Sequence, residues 1–186
     1  MSIALPGFAN PVLDAQSCFR AVLDAMARPG TIHATGHALT PPPPLSQATA
    51  AVLLTLIDAE TGLTIAPGLA AAAEWIAFHC GPCPGCDFIV TDSLPDLATL
   101  DAGSDEVPEG SATVILQVAA LGAGTAFTLA GPGLQHPTRF QATGLPPGFI
   151  AMWAANHRLY PRGIDLILCA GDQLAALPRS VSIGEG

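Results

Sequence analysis

The stretch SQATAAVLLTLIDAETGLTIAPGLAAAAEWIAFHCGPCPGCDFIVTD, residues 46–92, decides the fold class. Ser46 is a helix N-cap ahead of an apolar run ending near Asp58, and Leu63 to Pro67 is a short apolar segment of strand length. The segment AAAAEWIAFH, residues 70–79, is helical again, and DFIVTD, residues 87–92, is a second buried strand. Helix and apolar strand in alternation predict an α/β layered sheet.

Working outward, DAQSCFRAVLDAMARPG, residues 14–30, places Phe19, Val22, Leu23 and Met26 at i, i+3, i+4 and i+7. That is the stripe of an amphipathic helix, with Asp14 as N-cap and Pro29-Gly30 as stop. An extended piece from Thr31 to Thr35 follows, and Pro41 to Pro44 read as a stiff polyproline spacer. Downstream, Asp101 to Gly110 is an acidic loop. ATVILQV, residues 112–118, and TAFTLAG, residues 125–131, are consecutive strands with Gly122 and Gly124 in the turn between them. GFIAMWAANHRLY, residues 148–160, is a helical candidate. IDLILCAG, residues 164–171, and the tail LAALPRSVSI supply a last strand or hairpin, which makes the sheet mixed. No internal repeat is present, and residues 1–186 are expected to form one domain.

Composition narrows the function. Half of the residues are apolar and 11% are charged, so a sizeable core can be buried. The 19 Gly and 18 Pro, about a fifth of the chain, signal many tight turns. The formal charge is −9, with six Arg and no Lys. A nucleic-acid partner needs clustered cations, and an anionic membrane surface needs the same, so both are excluded as partners. Without Lys, no pyridoxal phosphate can be held as a Schiff base. Abundant apolar residues and few charges point to protein partners. The N-terminus has neither a basic start nor an apolar run, and no stretch reaches membrane-span length. Five cysteines without an export signal suit a reducing cytoplasm.

The conspicuous side-chain cluster is HCGPCPGC, with Cys80, Cys83 and Cys86 following His79. Thiolates at this spacing can converge on a soft metal ion. A fourth ligand is missing, however, because Cys18 and Cys169 lie far away in sequence, so a Gly/Pro-rich loop carrying thiols is the preferred reading. The five histidines (His33, His37, His79, His136 and His157) show no paired ligand spacing. Gly131 to Gly133 is a turn and no nucleotide loop. No nucleophile elbow occurs. No catalytic residue stands out.

Three blocks carry a family resemblance: PVLDAQSCFRAVLDAMARPG at the start, AVLLTLID with AAAEWIAFHCG and DFIVTD in the middle, and PRGIDLILCAGDQLAALPRS at the end. With GSATVILQVAAL and LAGPG between them, they resemble, in order, the PhnH family of the bacterial carbon–phosphorus lyase system. Cys80, Cys83 and Cys86 stand outside the family pattern. The resemblance implies a three-layer α/β/α sandwich with a mixed sheet, like pyridoxal-phosphate-dependent transferases but with no cofactor. It implies partnership with the G, I and J subunits, and a homodimer in isolation. It also implies a part, with the G, I and L subunits, in forming ribose 1-methylphosphonate 5-triphosphate from ATP and methylphosphonate. The nucleosidase step belongs to the I subunit, so the chain would be a non-catalytic or co-catalytic transferase subunit. Should any residue touch anionic ligand, Arg28 beside Pro29-Gly30 and Arg162 before Gly163 are the candidates, with surface salt bridges as the competing role. The alternative function is a stand-alone α/β enzyme or metal-binding protein using the Cys80/Cys83/Cys86 loop, and a pure scaffold is a third.

Overall fold

A computed structural model of the chain describes residues 5–36 and 38–186. Helix α1 spans Pro11–Ala27, strand β1 His33–Ala34, α2 Gln47–Leu56, β2 Gly62–Ile65, α3 Ala73–Cys80, β3 Cys83–Pro84 and β4 Phe88–Thr91. Then come β5 Thr113–Gln117, β6 Ala120–Ala130, β7 Thr138–Thr143, α4 Phe149–His157, β8 Asp165–Ala170, β9 Gln173–Leu177 and β10 Ser182–Glu185.

Seven strands form one mixed sheet in the order β1-β9-β8-β5-β4-β2-β3. The pairs from β3 to β8 are parallel, whereas β9 runs antiparallel to β8 and β1 antiparallel to β9. The central strands are buried on both faces, which is why they read as continuous apolar runs. Their side chains still alternate. Val90, Ile115, Ile167, Cys169 and Leu174 join a core under α1, α2 and α3, while Ile89, Val114, Leu116, Leu166 and Leu168 join the core on the other face. A one-residue slip of register would exchange the two sets.

One outer layer is helical, as the α/β/α expectation has it. The other is not all helix: α4 shares that face with a three-stranded antiparallel sheet, β10-β6-β7. Gly122 and Gly124 do not make the turn between β5 and β6. Both lie within β6, where pairing with β7 shifts between Leu121 and Thr125 as a bulge. Strand β7 (TRFQAT) alternates too weakly to stand out as a sequence. The turn after β6 packs on α1: Gly133, at φ +84°, brings its Cα so close to the Ala27 carbonyl that no Cβ fits between them.

Helix α1 starts four residues before the expected cap. Asn10 is the N-cap, accepting from the Leu13 N–H at 3.2 Å, with Pro11 at the first helical position. Asp14 instead accepts from the Asn10 N–H at 2.9 Å, reaching back from the first turn. The buried face of α1 is also not the expected stripe. Asp14, Cys18, Ala21, Val22 and Ala25 are buried, and Phe19 and Leu23 are exposed. Small residues let α1 lie close against α2 and β9, so the bulky ones turn outward.

Leu5 and Phe8, which have no local core in the sequence, pack onto the α1–α3 side of the molecule. Trp75 Nε1–H donates to the Leu5 carbonyl at 3.0 Å. The segment is therefore tied to its own chain and is not a free arm. The proline stretch is likewise no free spacer, since Leu39, Pro42 and Leu45 are buried around it.

Candidate functional site

Two connections set where a ligand could sit. From β2 the chain passes through α3 to reach β3 on one side, and from β4 it passes across the opposite face to reach β5 on the other. The carboxyl ends of β2 and β4 thus form a topological switch point, where open α/β sheets hold ligands. The chain's own groups fill this place. The Asp92 carboxylate lies directly over Gly68, in the first turn of the 3₁₀ segment Pro67–Ala72 that runs into α3. A carboxylate there opposes a phosphate, which needs donors and positive charge.

The next carboxyl end is closed as well. Gln117, last residue of β5, accepts at Oε1 from the Ser46 N–H at 2.7 Å and the Thr49 hydroxyl at 3.0 Å. Its Nε2 donates to the Pro44 carbonyl at 2.9 Å. Ser46 Oγ accepts from the Thr49 N–H at 3.1 Å as the expected cap of α2. The α2 N-terminus is therefore satisfied internally.

The two candidate arginines lie apart in the chain and each meets an acid of its own. Arg28 closes α1 at its C-cap, with Nη2 3.7 Å from Asp24 Oδ1. Arg162 follows Pro161, and its Nε lies 2.9 Å from Asp105 Oδ1, at an angle that makes an ion pair and no hydrogen bond. The arginine that sequence reasoning missed as an individual is Arg179, within the closing Leu-Pro-Arg. Its guanidinium grips the buried Asp165 carboxylate, Nη2 to Oδ2 at 2.6 Å and Nε at 3.1 Å, and donates from Nη1 to the Pro108 carbonyl at 2.7 Å. The only hint was an Asp and an Arg flanking an apolar hairpin.

The thiols diverge. Cys80 is buried with its Sγ 3.7 Å from the Leu53 carbonyl, and burial pushes its pKa up to about 12. Cys83 is half-buried on β3, and Cys86 is exposed. Cys18 and Cys169 are buried on the helical side, with pKa values raised by desolvation. Among the described residues no three His, Cys, Asp or Glu side chains are placed to hold a metal ion. His79 is held by the N-terminal segment, with its Nε2 3.1 Å from the Leu5 carbonyl. His33 pairs with the Thr31 hydroxyl and His157 with the Arg179 carbonyl, whereas His37 lies outside the described residues.

Two apolar cavities flank α4. One, of about 300 Å³, is lined by Leu97, Met152, Ala155 and Leu159 with Asp96 and Asn156. Its polar groups are occupied: Asn156 exchanges two hydrogen bonds with the Ile164 backbone, and Asp96 accepts from the Ala98 N–H. The other, of about 590 Å³, lies beside Phe127, Leu145, Pro147 and Phe149. The lining of the larger one also carries Thr125 and Glu185, with no hydrogen bond between the two side chains, whereas covalent catalysis needs a nucleophile in hydrogen-bond reach of its base. What the surface offers instead is the apolar outer side of α1.

The profile of the family described as bacterial phosphonate metabolism protein (PhnH) matches residues 6–184. The chain belongs to the PhnH family. Two curated relatives extend that finding. Over 186 aligned residues the chain is 38% identical to the alpha-D-ribose 1-methylphosphonate 5-triphosphate synthase subunit PhnH of Rhizobium meliloti (strain 1021), covering 95% of this chain and 93% of the relative. A putative C-P lyase subunit protein, HtxG of Stutzerimonas stutzeri, is 30% identical over 171 residues, with 90% and 85% covered. PhnH membership thus spans both cores and the whole mixed sheet.

Proposed function

We propose that the chain is a subunit of the carbon–phosphorus lyase system, serving with the G, I and L subunits in making ribose 1-methylphosphonate 5-triphosphate from ATP and methylphosphonate. The observation that carries this is the near full-length match to a relative named as a subunit of that synthase. The structure supports a partner's role: the carboxyl ends of β2, β4 and β5 are filled by Asp92, Gln117 and the α2 cap. The family match over residues 6–184 favours this reading over a metal-binding protein built on Cys80, Cys83 and Cys86.

In this reading the chain works in the cytoplasm, binds the G, I and J subunits, and forms a homodimer when isolated. Its scaffold is a cofactor-free counterpart of the pyridoxal-phosphate transferases. Arg28 or Arg162 would reach an anionic ligand only by releasing Asp24 or Asp105, with partner chains completing the site. The test is co-expression with tagged G, I and J subunits, followed by growth of an H-deficient strain on methylphosphonate as sole phosphorus source. Co-purification and restored growth are expected. A chain that neither joins the complex nor restores growth refutes the proposal.

A further inference from the structure

Helix α1 carries two apolar faces, and its own fold uses one. On the outer side stand Val12, Gln16, Phe19, Leu23 and Met26, separated by four, three, four and three residues. Val12 is 77% exposed, Phe19 49% and Leu23 56%, with Leu13 beside them at 59% and Met26 partly buried. A mean spacing of 3.5 residues is the interval at which one helix meets another along its length. The seam holds a single polar residue, Gln16, the kind of position that fixes register in paired helices.

The seam is also close to symmetric about Phe19. Val12 and Met26 lie seven residues to either side, and Gln16 and Leu23 lie three before and four after. Such a face is complementary to itself when two copies run antiparallel about a two-fold axis, the isologous contact of cyclic dimers. Charge favours the same place. The chain has 15 carboxylates and a net charge of −9, yet none stands at a seam position, so two acidic copies meet here with little direct repulsion.

Area agrees. Val12, Leu13, Phe19 and Leu23 together expose on the order of 400 Å² of apolar surface, as large as the principal patch of an ordinary monomer. A standard interface takes about 800 Å² from each partner, a little over half of it apolar, or roughly 450 Å². The seam supplies that apolar centre, and Ser17 and Arg20 begin the polar rim.

We propose that the outer face of α1 packs antiparallel against the same face of a second copy, with Phe19 at the two-fold axis. The inference rests on the homodimer reading and assigns its surface. Light scattering at tens of micromolar should give about twice the 18.8 kDa chain mass. Phe19→Glu places two carboxylates on the axis and should weaken dimerisation roughly 10³-fold, as loss of a hot spot from both sides does. Phe78→Glu, at another exposed phenylalanine, should leave the dimer intact. In a Cys83→Ser, Cys86→Ser background, Phe19→Cys should oxidise to a disulfide-linked dimer, which decides the matter even if the glutamate variant fails to fold.

A monomeric parent chain refutes the homodimer reading itself. A parent dimer that persists in Phe19→Glu, with no cross-link through Phe19→Cys, overturns the α1 assignment and leaves the homodimer standing. A monomer that loses another lyase subunit on Phe19→Glu gives the face to that subunit and overturns self-pairing.

Discussion

Replacing Arg179 by Ala tests whether one ion pair holds the last hairpin to the sheet. The side chains of Arg179 and Asp165 are 16% and 11% exposed. Asp165 accepts from the Arg179 backbone N–H at 2.7 Å, from Nε at 3.1 and 3.2 Å, and from Nη2 at 2.6 Å. Removing the guanidinium leaves a carboxylate with little access to water and one backbone donor, and strips the Pro108 carbonyl of its partner. Breaking such a pair from one side costs about 3–5 kcal/mol. The whole fold stands on roughly 5–15 kcal/mol, so the loss is a large fraction of the total. For a chain of this size the melting temperature should fall by roughly 10 °C. Arg162→Ala is the matched control. Asp105 is 81% exposed, and an exposed pair contributes about 1 kcal/mol or less. Urea titrations of the parent, both single variants and Asp165→Ala with Arg179→Ala complete the set. The double variant should cost clearly less than the sum of its parts. Should Arg179→Ala cost no more than Arg162→Ala, the buried pair does not clamp the hairpin and the reasoning fails.

Thiol titration with an exposed-cysteine reagent should label Cys86 first and Cys83 next, and reach Cys18, Cys80 and Cys169 only on unfolding; rapid reaction of all five would contradict the burial described. The raised thiol pKa values carry a pH signature. The fold keeps these thiols neutral while the unfolded chain ionises them near 9.0, so their stabilisation is complete below that pH. It is lost as pH rises through the folded values, about 12 for Cys80, and Cys80→Ala should flatten the fall in urea midpoint between pH 9 and pH 11. Gln117→Leu deprives Ser46 N–H, Thr49 Oγ and the Pro44 carbonyl of their partner and should cost about 1–3 kcal/mol by denaturant melt, with α2 exchanging amide hydrogens faster. Gly133→Ala should lower the melting temperature by several degrees, whereas an unchanged value would mean that the β6–β7 turn does not rest on Ala27.

Much of the sheet was legible because its strands are buried on both faces. Ile89-Val90, Val114 to Leu116 and Leu166 to Leu168 announce themselves as apolar runs between turns. Ser46 was legible as a cap because it stands immediately before an uninterrupted helical run. Other features were hidden for physical reasons. Asn10 and Asp14 are both capping residue types four positions apart, and only Pro11 after Asn10 separates them. The two faces of α1 could not be ranked, because hydrophobicity favours Phe19 and Leu23 while close packing favours Cys18, Ala21 and Ala25. The bulge in β6 turns on glycines that read equally well as a turn. Arg179 gives little signal beyond an Asp and an Arg flanking the hairpin, since its partner is fourteen residues away. The filled carboxyl edge follows from Gln117 meeting Ser46, a contact across 71 residues that periodicity cannot show.

The borders of the large sheet are two residues long, His33–Ala34 on one side and Cys83–Pro84 on the other, and Pro84 has no N–H to offer. Open strand borders recruit foreign strands, the first step toward fibrils, and short or proline-bearing borders deny them a template. For a chain half apolar and only 11% charged, that denial matters more than usual. Concentrated or gently heated protein should therefore resist conversion into dye-binding fibrils for as long as the native sheet survives.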